Sequence, residues 1–176
     1  HAALVSLQRG AEFTDKLTPR RHYTYPSKIE RQSSNGWSGM RLLVVGGGVA
    51  GPAVALAATR LGLDATVLER RAVADPDEGS WVTVAPNGLD ALDALGVLDD
   101  ARRIGHPSRL NRMFGATGRH LGDVTLGVPL DDGTVALTMK RSALAVLLGD
   151  AARRQGADVR LGAEVVSVHD DADGVR

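Results

Sequence analysis

An α/β fold with a parallel sheet is the class this sequence predicts, and three observations carry it. A short continuous apolar run, Arg41 to Val45, ends on glycine, as a strand buried in a parallel sheet does. An Ala-rich stretch with helical spacing follows at once. A second apolar run, Ala65 to Leu68, comes next and ends on an acid, Glu69. Strand, helix and strand together span about 30 residues, the length of one βαβ unit.

The elements follow in order. Gly51 to Leu61 predicts the helix, with Val54, Ala55, Ala58 and Leu61 on one face. Gly62 stands where left-handed backbone commonly closes a helix. Pro52 falls in the first turn, where its missing N–H costs no hydrogen bond. VADPDEGS is a loop and Trp81 to Ala85 an extended piece. Pro86 and Gly96 bracket a helix over Asn87 to Leu95. Residues 105 to 138 alternate weakly between the turn signals LGD and DDG, which suits short antiparallel strands. Ser142 is expected to cap a helix with the stripe Leu144, Leu147, Leu148 and Ala151, closed by Gly156. Val159 to Leu161 and Glu164 to Val168 are expected as further strands, with a β-turn at Asp173–Gly174.

Composition narrows the function classes. The 176 residues are 43% hydrophobic and 24% charged, with a formal net charge of zero. No polyanion-binding footprint appears, so nucleic acid is not an expected partner. No apolar run approaches the roughly 18 residues that span a bilayer, so no membrane partner is expected either. The N-terminus has no basic residue before its weak apolar patch and does not read as a signal peptide, which points to the cytoplasm. There is no cysteine, which removes disulfides, thiolate metal sites and cysteine nucleophiles. His106, His120 and His169 stand apart without ligand spacing, so no metal is expected. Asp170, Asp171 and Asp173 lack the pattern of a calcium loop and read as a solvated turn.

Residues 1 to 39 differ from the rest. They hold Phe13, Tyr23, Tyr25 and Trp37, four of the six aromatics, and six basic residues against three acidic ones. With no sustained period, they are expected to be a disordered or non-native segment, Met40 marking the natural start. Residues 40 to 176 are expected to form the folded, ligand-binding part.

The glycines carry the chemistry. Gly46, Gly48 and Gly51 fit G-x-G-x-x-G between a strand and a helix. The first permits a tight turn, the second lets a pyrophosphate approach the backbone, and the third lets the helix pack close to the strand. The helix N-terminus, with Val49 and Ala50, presents N–H groups and a positive dipole end to phosphates. Glu69 lies 23 residues after Gly46, where a carboxylate can accept hydrogen bonds from ribose hydroxyls and repel a 2′-phosphate. This is a Rossmann-like dinucleotide fingerprint. The spacing alone leaves NAD and FAD both open.

MRLLVVGGGVAGPAVALAATRLGLDATVLERR resembles the N-terminus of class A flavoprotein monooxygenases, the family of para-hydroxybenzoate hydroxylase and related aromatic hydroxylases. The resemblance continues through Gly79, VTVAPNGLDALDALGVLDD and MKRSALAVLLGDAARRQGADVRLGAEVVSV. It implies a Rossmann-like FAD-binding domain joined to part of an inserted β-rich substrate domain, which would begin around residues 105 to 138. It implies that Glu69 binds the adenosine ribose, Arg70 lies near the adenine, and Arg141, opening R-x-x-L, contacts FAD. By the resemblance, the family's later Asp-Gly and Gly-Asp motifs should lie beyond residue 176, Asp173–Gly174 being read as a turn and not as the first of them, so the chain is expected to be an N-terminal fragment, truncated at its C-terminus. The implied reaction uses NAD(P)H to reduce the flavin, then O2, and hydroxylates a small, often aromatic substrate through a flavin C4a-hydroperoxide. No catalytic acid or base can be named here.

Three other readings stay open. One is another FAD-dependent oxidoreductase, such as an amine oxidase or a geranylgeranyl reductase-like enzyme. A second is an NAD-only dehydrogenase, disfavoured because no third βα unit directly follows Glu69. A third is an inactive nucleotide-binding gene fragment. Flavin disulfide reductases are disfavoured by the absent cysteine pair. Arg71 reads as a solvated charge. Trp81 reads equally as a cleft wall or an ordinary packing residue.

Overall fold

A computed structural model describes residues 40–171 and 174–175. The segment 1–39 and Asp173, and with it the expected Asp173–Gly174 turn, lie outside the described residues.

Alternating burial builds the parallel sheet. Strands β1 (Arg41–Val45), β2 (Asp64–Glu69) and β8 (Asp158–Leu161) lie in the order β1-β2-β8, all parallel, with Val45 opposite Leu68 and Glu69 opposite Leu161. Leu42, Val44, Ala65 and Val67 point to one face and are buried, whereas Leu43 on the other face is exposed. The continuous apolar run suggested burial on both faces. Among the described residues, helices cover only one.

Those helices are α1 (Ala50–Arg60) and α4 (Arg141–Arg154). Both turn small residues inward, Ala55 and Ala58 on α1 and Gly149, Ala151 and Ala152 on α4. Small contact residues let two helix axes approach closely. Leu56 and Leu148 fill the space between them and the sheet. The predicted α1 face needs one correction: Leu56 is buried in place of Leu61, which caps the helix end and is 44% exposed. Gly62 and Gly156 follow α1 and α4 with positive φ, as helix-ending glycines do, and so does Gly96 after the helix Pro86–Ala94.

A second layer is antiparallel. Strands β3 (Trp81–Val84), β4 (His106–Pro107) and β7 (Leu137–Lys140) form a sheet in the order β3-β7-β4. Leu137 and Met139 bury their side chains among those of α2 (Pro86–Ala94) and α3 (Leu98–Ile104). Arg60 ties α1 to this layer: its Nη1 donates to the Ala94 carbonyl at 3.0 Å, one of the carbonyls a helix C-terminus leaves unpaired. Strands β5 (Leu110–Phe114) and β6 (His120–Thr125) make a separate exposed hairpin, with an irregularity between Met113 and Phe114.

Two expectations fail and one helix, α3, is additional to those the sequence predicts. Its signal was the charge pattern Asp99–Asp100 and Arg102–Arg103, acids in the first turn and bases in the last, which complements the helix dipole. Arg102 also reaches Asp132 in the loop before β7; hydrogen bonds from Thr134, then Arg102, hold the Asp132 carboxyl below its ordinary range. Ser142 does not cap α4. The helix starts at Arg141, and the Ser142 hydroxyl shares its one proton between the carbonyls of Pro76 and Glu78. Glu164 to Val168 is no strand: Val166 is 90% exposed, and the segment pairs with no strand among the described residues. The hairpin beyond is shorter, β9 (Asp170–Asp171) against β10 (Gly174–Val175).

Candidate functional site

The topology gathers one set of residues at one end of the parallel sheet. The glycine turn follows β1, and Glu69 closes β2. Helix α1 starts from the turn. Helix α4 runs back to feed the N-terminal end of β8, so its own first residue, Arg141, opens at the same end as the turn. Ligands of open α/β sheets bind outside these carboxyl ends.

The turn is tied down at both sides. Gly46 adopts φ +107°, a conformation that favours glycine. Its N–H still donates to Leu68 at 2.8 Å, so the chain leaves β1 with the sheet bond intact. A Cβ on Gly51 would overlap the Gly46 carbonyl oxygen and lie 3.2 Å from Val44 Cγ1, so helix and strand are as close as the third glycine of the fingerprint allows. Around Gly48 there is open space: a Cβ there would meet nothing within 4 Å. No side chain caps α1, whose N-cap is Val49, and no acid occupies its first turn. The first N–H groups of the helix, with Pro52 contributing none, therefore face an open cradle with positive potential.

Glu69 leans over this cradle. Its Oε2 accepts from the Gly47 N–H at 2.6 Å, and its Oε1 from the Arg71 N–H at 2.9 Å. Gly47 was not among the expected site residues, because the fingerprint treats its position as free. The signal was the middle glycine of the run in VVGGGVAG, one glycine more than the motif needs.

Arg70 is exposed beyond the end of β2. Arg71, read as a solvated charge, pairs with Glu78 at 3.2 Å, both about half-exposed. The loop between β2 and β3 is held to the start of α4. Arg141 N–H donates to Ser80 at 3.0 Å, Lys140 Nζ to Gly79 at 3.3 Å, and Ser142 to Pro76 and Glu78. The Arg141 guanidinium borders Gly79 and is exposed. Trp81 is 63% exposed, with Lys140 Nζ 5.2 Å from its ring centre. The structure thus brings Gly46, Gly48, Val49, Ala50, Gly51 and Glu69 together, and sets Arg141 at the same end of the sheet.

Gly48 offers a separable prediction. Its φ lies outside the left-handed region and its surroundings are open, so Gly48→Ala should change unfolding free energy by no more than about 0.5 kcal/mol. If a pyrophosphate uses that space, the same variant should lose about tenfold or more in dinucleotide affinity. Denaturant unfolding beside a FAD titration checks both; equal affinity in variant and wild type would refute the assignment.

Known proteins resemble this chain in sequence and fold. The profile of the FAD binding domain family matches residues 40–176. The 3-hydroxybenzoate 6-hydroxylase 1 of Aquipseudomonas alcaligenes is 33% identical over 138 residues, covering 76% of this chain and 35% of that protein. The FAD-dependent monooxygenase pynG of Aspergillus niger is 40% identical over 74 residues, covering 42% of this chain and 17% of that protein. Among solved structures, the tetrameric form of 2-methyl-3-hydroxypyridine-5-carboxylic acid oxygenase superposes with a TM-score of 0.62 at 26% identity, covering 79% of this chain and 37% of that one. The chain therefore spans little more than a third, or less, of the length of these proteins.

Proposed function

Because the chain belongs to the FAD binding domain family, in its class A flavin monooxygenase branch, we propose that residues 40–176 hold the ADP half of FAD. They would do so within an NAD(P)H-dependent monooxygenase that hydroxylates a small, often aromatic, substrate with O2. The observation that carries this is the cradle itself. An uncapped helix N-terminus, an open Gly48 and an acid at the end of β2 converge on one end of the sheet. These are donors for a pyrophosphate and an acceptor for a ribose, and they fit an ADP moiety.

In this reading Gly46, Gly48, Val49, Ala50 and Gly51 line the pyrophosphate, Glu69 accepts from the adenosine ribose, Arg70 lies by the adenine, and Arg141 contacts the cofactor further along. A guanidinium suits phosphate and carbonyl groups through paired donors. The flavin supplies the redox and oxygen chemistry; the protein binds, orients and shields it. Residues around 105 to 138, with the β5–β6 hairpin, would begin the substrate domain. A small-molecule substrate, O2 and a cytoplasmic setting complete the proposal.

Titration of the chain with FAD, NAD and ADP, followed by flavin fluorescence and calorimetry, tests it. FAD and ADP should bind with comparable adenosine-side selectivity, and NAD should not be preferred. A clear preference for NAD would point to a nicotinamide-dependent dehydrogenase, and no binding of any of the three would sink the proposal.

A further inference from the structure

We infer that Gly47 is a positioning residue that holds Glu69 in the orientation needed to receive a ribose diol. The inference rests on the nucleotide reading above and adds a specificity element to it. Gly47 shapes the acid in two ways. Its N–H donates to Glu69 Oε2 at 2.6 Å, a charge-assisted bond of the stronger kind. Its missing side chain also makes room: a Cβ on Gly47 would lie 2.7 Å from Glu69 Cβ, 3.0 Å from Cγ and 3.1 Å from Oε2. The first of these is the root of the side chain, which cannot swing aside without moving the end of β2 or the turn.

The other oxygen, Oε1, is held by the Arg71 N–H at 2.9 Å. Each carboxylate oxygen thus has one backbone donor. A carboxylate has about four acceptor sites, so each oxygen keeps one for a hydroxyl. Two oxygens fixed in this way face the two vicinal hydroxyls of a ribose, and their rotational freedom is surrendered before the ligand arrives, which favours affinity. Gly47 has no left-handed φ, so backbone strain does not explain glycine there. The place its Cβ would occupy is taken by Glu69.

The test compares ADP with 2′-deoxy-ADP by calorimetry in the full 176-residue chain. The wild type should favour ADP by about tenfold, the worth of a good hydrogen bond to a charged group. In Gly47→Ala the ratio should fall toward one, because ADP loses the 2′-hydroxyl contact that 2′-deoxy-ADP never had, while both ligands share any loss at the 3′-hydroxyl or the turn. Glu69→Ala should give the same pattern, and the double variant should be no worse than Glu69→Ala alone, because both act through one carboxylate. Should Gly47→Ala fail to fold, Glu69→Asp provides the second arm. Its carboxylate is set back by one methylene from the positions where the Gly47 and Arg71 N–H groups hold the Glu69 oxygens, and the ratio should fall there too. Tight wild-type binding with an unchanged ratio in Gly47→Ala, or in Glu69→Asp where that arm is needed, overturns the inference and leaves the nucleotide reading standing. A wild type that binds neither ligand overturns both.

Discussion

Gly51→Ala should lower the unfolding free energy by about 2 kcal/mol or more, as read from the denaturant midpoint or the melting temperature. Helix propensity alone predicts the opposite sign, since alanine inside a helix is favoured over glycine by about 1 kcal/mol. Steric overlap decides the outcome. The new Cβ would overlap the Gly46 carbonyl oxygen and lie 3.1 Å from its carbon and 3.2 Å from Val44 Cγ1. Neither neighbour can yield cheaply. Gly46 is bonded to Leu68 through its N–H and already sits at φ +107°, and Val44 is fully buried in the sheet. Helix α1 must therefore lift from β1, loosening Ala55, Leu56 and the contact with α4. Overpacking costs about 1–3 kcal/mol or more even where side chains can shift, and here the obstacle is backbone. A variant as stable as wild type would show that the helix sits further from the strand than described. Gly48→Ala, three residues away, sets the baseline for a harmless glycine replacement in the same turn.

That contrast shows what a linear pattern can and cannot carry. The βαβ unit was legible because each of its signals is local. A short apolar run, a glycine turn and a second run specify β1, α1 and β2 almost to the residue. The glycines after α1, α2 and α4 were legible for the same reason, since one residue's φ closes each helix. The failures depend on partners. Glu164 to Val168 is rich in valine, as strands are, but a strand needs a neighbour to pair with, and β-propensity by itself does not create one. Ser142 has the chemistry of a cap, yet its hydroxyl bonds to carbonyls in a loop more than 60 residues earlier. Helix α3 is only seven residues long, too short to show a period. Within the candidate site, Gly46, Gly48, Gly51 and Glu69 could be placed by spacing. The Gly47–Glu69 contact could not, because it joins the turn to the end of the second strand across 22 positions.

Selectivity against a 2′-phosphate is the property that should depend most strongly on Glu69. AMP should bind the chain at least about 100-fold more tightly than adenosine 2′,5′-bisphosphate at low salt. Two like charges about 4 Å apart at a protein surface repel by roughly 4 kcal/mol at an effective dielectric of 20, and 100-fold corresponds to about 2.7 kcal/mol, well within that. The preference should shrink as salt rises, because screening shortens to about 3 Å at 1 M. Two substitutions divide charge from hydrogen bonding. Glu69→Gln keeps an oxygen that can accept from Gly47 but has no charge, so most of the discrimination against the bisphosphate should vanish while AMP binding falls by only about tenfold. Glu69→Ala removes both functions and should weaken AMP further. Arg70, next in sequence and exposed, is a cation whose paired donors suit a phosphate. If Glu69→Gln keeps the full wild-type preference at low salt, the carboxylate charge does not face the ribose 2′ position, and the assignment of the nucleotide's adenosine end to Glu69 must be abandoned.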